Sequence, residues 1–145
     1  MSKLPHSYHV KVEGKPEHSL TATAANLPAL EVAPPAEFGG PGDKWSPEQL
    51  LMASVASCFV LSFRAIAHAS GLEWTSIECQ SEGTLDRVNS KVQFTRMVTR
   101  ATLTLPDTQD SAAAQAALNK AEQTCFISNS LSCQSTLECE LLGGK

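Results

Sequence analysis

Apolar residues recur along this chain with two different periods, and each change of period marks an element. Tyr8-His9-Val10-Lys11-Val12-Glu13 alternates apolar with polar, the pattern of a half-buried strand. Gly14-Lys15-Pro16 is a turn, and His18 to Ala25 can return as a second strand. Leu30-Glu31-Val32 predicts a short third strand. Pro34 to Asp43 is rich in proline and glycine, so it is a loop, and it leads directly into a helix cap. From Ser46 to Gly71 the alternation stops. Leu50, Leu51, Val55, Cys58, Phe59, Val60, Leu61, Phe63 and Ile66 cover nearly every face of a helix. Ser46 stands at the N-cap, Pro47 suits the first helical position, and Gln49 completes a capping box three residues after the cap. Gly71 supplies the stop. A helix apolar all round is a core helix or a membrane span. Ser54, Ser57, Ser62, Arg64 and His68 interrupt it, and no uncharged apolar stretch reaches the roughly 18–20 residues of a span. The pattern predicts a long buried core helix with Cys58 in its middle.

After Gly71 the period returns to two. Leu72 to Gly83, containing Trp74, Ile77 and Cys79, predicts a strand, and Asp86 to Ser90 a turn. Val92 to Leu105 is rich in β-branched residues and predicts a long strand, with threonines and arginines on one face. Pro106-Asp107 ends it. Ser111 to Cys125 is alanine-rich and helical, with Leu118, Ala121 and Cys125 on one face. Gln134 to Leu142 alternates again and predicts a C-terminal strand. Strands segregated from two helices make an α+β fold: N-terminal strands, a long central helix, further antiparallel strands and a second helix. The whole of 1–145 reads as one domain. A helix this apolar needs cover on more sides than one small sheet provides, which predicts a homodimer with the helix near the interface.

Hydrophobic content of 42% and charged content of 18% suit a globular protein. A net charge of −4 and a pI near 5.5 argue against binding to nucleic acid or to an anionic membrane. Met1-Ser2-Lys3-Leu4-Pro5-His6 lacks the apolar core of a signal peptide, so a cytoplasmic location is expected. Five cysteines is an odd number, and without a signal peptide a disulfide framework is not expected. Each cysteine is then a free thiol that either packs or reacts.

Ser46-Pro47-Glu48-Gln49-Leu50 opens the helix, and Cys58 follows Glu48 by ten residues. Cys125-Phe126-Ile127-Ser128-Asn129-Ser130 closes the later helix. Together these resemble the two signatures of the OsmC/Ohr family, with Phe126 where that family usually has proline. The resemblance covers most of the chain, from about Glu37 to the C-terminus. It implies an α+β fold, an intertwined homodimer and two thiols facing each other at the dimer interface. It also implies reduction of organic hydroperoxides, with Cys58 as the attacking thiolate and Cys125 as the resolving thiol. A dithiol or thioredoxin-like reductant would recycle the disulfide.

The chemistry asks for a thiolate that attacks the distal peroxide oxygen and a second thiol within disulfide reach. Burial raises a cysteine pKa, and a mid-helix position receives no help from the helix dipole, so a cation is expected beside Cys58. In the family an arginine from the N-terminal strands supplies it, held by the motif glutamate, here Glu48. No arginine precedes Arg64, and Arg64 turns roughly 120° away from Cys58 on an ideal helix. Lys11, Lys15 and Lys44 are the available substitutes. Glu48 lies about 15 Å along a straight helix from Cys58, so it acts through a bridging cation or serves only as a first-turn acid. Cys79, Cys133 and Cys139 read as packing residues, with Cys133 an alternative disulfide partner. His6, His9, His18 and His68 lack metal-ligand spacing. Gly39-Gly40-Pro41-Gly42 lacks a phosphate-loop lysine, and no cofactor is expected. Two other readings stay open: a catalytically weak protein that binds a small apolar ligand, and a redox sensor without turnover.

Overall fold

A computed structural model describes residues 3–145, in two compact units, Met1–Leu50 and Leu51–Lys145. In the first unit β1 (Lys11–Glu13), β2 (Leu20–Thr23) and β3 (Leu30–Val32) form an antiparallel sheet in that order, with Val12 opposite Ala22 and Ala22 opposite Leu30. The first two strands are shorter than the alternation predicts. Tyr8 and Val10 precede β1 and are exposed, because a three-residue strand gives an apolar face little to pack against. Beyond β3, the Ala33 N–H donates to the Trp45 carbonyl at 2.9 Å. The intervening loop makes one 3-10 turn at Ala36–Phe38, closed by left-handed Gly39. The capping box forms as predicted: the Gln49 N–H donates to Ser46 Oγ and the Ser46 N–H to Gln49 Oε1, each at 3.1 Å. Ser46 is fully buried, so these bonds replace its lost hydration.

The helix that begins there, α1, runs Pro47–Ser70. Gly71, with φ of 68°, ends it as the sequence predicts, and the Leu72 N–H closes back on the Ala67 carbonyl at 2.9 Å. By length and composition α1 could cross a membrane. Within the chain, however, Val55, Phe59, Phe63 and Ala67 are buried at four-residue intervals, the stripe of a helix packed in a core. Burial does not extend round the helix. The opposite positions Ser57, Leu61, Arg64, Ala65 and His68 are exposed.

The rest of the second unit is a sheet and two further helices. β4 (Ser76–Val88) and β5 (Lys91–Thr104) form a long antiparallel hairpin. Its two-residue turn has Asn89 and Ser90 both at positive φ, the geometry that matches the twist of the strands. α2 (Ser111–Thr124) follows, then the single-turn α3 (Phe126–Asn129), then β6 (Gln134–Leu142). β4 and β5 are the antiparallel strands that the sequence predicts, and β6 adds to β5 in parallel. The reason lies in the connection: a helix between two neighbouring strands carries the chain back to the starting end, and only a parallel pairing results. The cross-strand rows Ile77–Leu103–Leu141 and Cys79–Ala101–Cys139 turn one face of the sheet inward. That face packs on Phe59, Phe63 and Ala67 of α1 and on Ala114, Ala117, Leu118 and Ala121 of α2. Thr99 falls on the same inward face, not with the arginines, and is buried. Phe63 meets Trp74 edge to face, ring centroids 5.4 Å apart. α1 approaches the sheet closely at Gly83, where a Cβ would lie 2.8 Å from Met52 Sδ and the Met52 side chain would have to shift.

Candidate functional site

All five cysteines are free, and the fold treats them differently. Cys58 sits on the flank of the buried stripe of α1, half-buried, three residues after Val55 and one before Phe59. The periodicity predicts Cys125 as the last residue of α2, but the helix ends one residue earlier, at Thr124. Cys125 occupies the joint between α2 and α3 with extended backbone, φ −68° and ψ 113°, and is 1% exposed. That joint turns the first residues of α3 toward α1.

The two thiols adjoin and perturb each other. Burial pushes the Cys58 thiol up, but four donors oppose it: the Ile127 N–H, the Cys125 thiol, the Phe126 N–H and the Ser62 hydroxyl. The donors win, and the Cys58 pKa lies below the ordinary thiol value. Cys125 moves the other way. Burial raises it most, donors from Ser128 lower it, and the neighbouring Cys58 raises it again. The shifts run in opposite directions, so Cys58 is the more readily deprotonated thiol of the pair. The groups that lower Cys58 within this unit are neutral donors. Backbone N–H groups at the start of a short helix lower a thiol pKa by the same electrostatics that place anions at helix N-termini.

Glu48, the third residue that the sequence singles out, lies in the first turn of α1 within the first unit. Its Oε1 is buried and has no hydrogen-bond partner among the described residues. Two of the substitute lysines are engaged elsewhere: Lys44 pairs with Glu31 at 3.0 Å and Lys11 with Glu13 at 3.4 Å.

Cys79 is pushed up to about 11, by burial first and then by the neighbouring Cys139 and Cys125. Burial also raises Cys139. Both stay protonated at neutral pH, which fits the packing role that their inward positions predict.

The family model for OsmC-like proteins matches residues 40–140, a span that contains both thiols and Glu48. The chain belongs to the OsmC-like family. It is 28% identical over 131 residues to the uncharacterised protein YmaD of Bacillus subtilis, covering 86% of this chain and 87% of that one. It is 26% identical over 96 residues to the peroxiredoxin OsmC of Escherichia coli, 66% of each chain. Among solved structures, an OsmC-like protein of unknown function from Vibrio cholerae superposes with a TM-score of 0.85 at 19% identity, covering 93% of this chain and 99% of that one. An organic hydroperoxide resistance protein from Legionella pneumophila superposes with a TM-score of 0.75 at 25% identity, covering 97% and 99%. The α+β fold is thus the OsmC-like fold, and a peroxiredoxin-like or hydroperoxide-resistance role is the one that family membership suggests.

The motifs in the sequence point to the two cysteines and carry no sign of the groups around them. Ser62 stands four residues after Cys58, a helical spacing visible in the sequence. The amides of Phe126 and Ile127 leave no side-chain signature, because any residue except proline can supply an N–H. Phe126 in place of the family's usual proline therefore adds a donor beside Cys58 as well as a ring that is 70% exposed.

Proposed function

We propose that the protein reduces organic hydroperoxides with two thiols, Cys58 attacking and Cys125 resolving. What supports this reading is that Cys58 and Cys125 adjoin in one site of an OsmC-like chain, and the downward shift of Cys58 and upward shift of Cys125 agree with it. The Cys58 thiolate attacks the distal oxygen of ROOH and the O–O bond breaks. Sulfur is oxidised to the sulfenic acid, and the alkoxide leaves, taking a proton to become ROH. Cys125 sulfur then attacks the sulfenic sulfur. Its proton departs with the hydroxyl as water, and a Cys58–Cys125 disulfide remains. A dithiol or thioredoxin-like reductant returns two electrons and two protons, leaving its own disulfide.

Apolar α1 walls and the exposed Phe126 favour a bulky alkyl or lipid hydroperoxide over hydrogen peroxide, since burying an alkyl tail is favourable by about 25 cal/mol per Å². Glu48, with its unpartnered buried oxygen, is proposed to hold a cation. The open face of α1 supports a homodimer, and the free thiols suit a reducing cytoplasm.

The test is intact-mass analysis and peptide mapping of reduced protein after one equivalent of cumene hydroperoxide or hydrogen peroxide. Rapid formation of a Cys58–Cys125 disulfide with the organic peroxide, lost in Cys58→Ser, is expected. Thiols that stay reduced over minutes would overturn the peroxidase reading and leave ligand binding in its place.

A further inference from the structure

The serines of α1 do not all behave alike. Ser54 Oγ donates to the Leu51 carbonyl at 2.7 Å, Ser57 Oγ to Ala53 at 2.6 Å and Ser70 Oγ to Ile66 at 2.9 Å. Each hydroxyl is spent on the preceding turn of its own helix, the usual fate of a mid-helix serine. Ser62 makes no such bond among the described residues. It stands one turn after Cys58 on the same flank of the helix, half-buried. Side chains on a helix lean toward its N-terminus, so the residue at i+4 reaches back over the residue at i. That spacing brings the Ser62 hydroxyl to the Cys58 side of the helix, one turn along.

We infer that Ser62 is a dedicated hydrogen-bond donor to the reacting sulfur, holding Cys58 as a thiolate from within the same helix. The inference rests on the reading of Cys58 as the attacking thiol. A hydroxyl is both donor and acceptor, so it can donate to the thiolate and turn away as the sulfur takes up oxygen. The lowered pKa of Cys58, to which the Ser62 hydroxyl contributes, agrees with this placement. The titratable group that faces Cys58 in this unit is Cys125, from the joint of α2 and α3. The remaining donors, Ile127 and Phe126, are backbone N–H groups that only a change to proline removes. Ser62 is thus the side chain other than Cys125 through which the thiolate is tuned.

The experiment is the pH profile of Cys58 alkylation by iodoacetamide in the reduced, full-length protein, read from the mass of the Cys58 peptide. Ser62→Ala is expected to move the profile to higher pH and to slow alkylation near neutrality about two- to threefold, since Ser62 contributes the least of the four donors. Ser62→Thr and Ser62→Val form a second pair, equal in shape and differing in the hydroxyl. The threonine variant is expected to keep the wild-type profile and the valine variant to match alanine. Coincident profiles for wild type and alanine, or for threonine and valine, would overturn the inference. Alkylation reads the thiolate without any peroxide. Failure of the hydroperoxide reaction with an intact Ser62 effect would therefore overturn the proposed function alone.

Discussion

At the scale of single residues, burial and hydrogen bonding act in different proportions on thiols of one chemistry. Cys58 is partly wet and surrounded by donors, so its charged form is favoured. Cys79 sits on the inward face of the sheet, no donor opposes its burial, and its neutral form is favoured. The raised Cys79 pKa has a consequence for stability. An unfolded thiol releases its proton near its ordinary value of 9.0, whereas the native one holds it until about 11. The native state therefore binds more protons across that window, and the stability contributed by Cys79 is complete below it and lost as pH rises through it. Thermal melts of wild type and Cys79→Ala between about pH 8 and about pH 11 are expected to converge as pH rises. Parallel curves would show that Cys79 does not titrate in this range.

At the scale of elements, local signals set the ends of α1 and connectivity sets the sheet. Ser46→Ala removes the cap hydroxyl and leaves the Gln49 N–H without its acceptor. The expected cost is about 1 kcal/mol, up to roughly 2, read as a lower denaturation midpoint at unchanged slope. The same elements show how much of the fold was legible in the sequence. The capping box, Gly71, and the bounds of β3 and β6 were all readable because each rests on chemistry or periodicity within a few residues. The direction of β6 was not, since alternation in a strand says which face is buried and nothing about its neighbour's direction. α3 was missed for a related reason: four residues are barely one helical turn, too few to show a period. In the candidate site, Cys58 and Cys125 were legible as motifs. Their donors were not, because α3 and α1 are far apart in sequence and only the tertiary fold brings them together.

At the scale of the molecule, α1 leaves a mixed face uncovered in the single chain, with Leu61 52% exposed. An apolar helix normally buries more than one stripe, and the proposed homodimer would cover this one. Leu61→Glu places a charge there and is expected to halve the mass seen in sedimentation velocity, with the secondary structure retained by circular dichroism. An unchanged mass would put any second copy elsewhere.

Cys58 and Cys125 stand 67 residues apart in sequence, and β4, β5 and α2 all lie between them. A bond between the two sulfurs would tie both helices and two of the three strands of this unit into one covalent ring. By loop-closure entropy a ring of that size removes about 4 kcal/mol of freedom from the unfolded chain. The oxidised half of the cycle would then be the more heat-resistant, and each reduction by a partner would loosen the fold as it rearms the thiols.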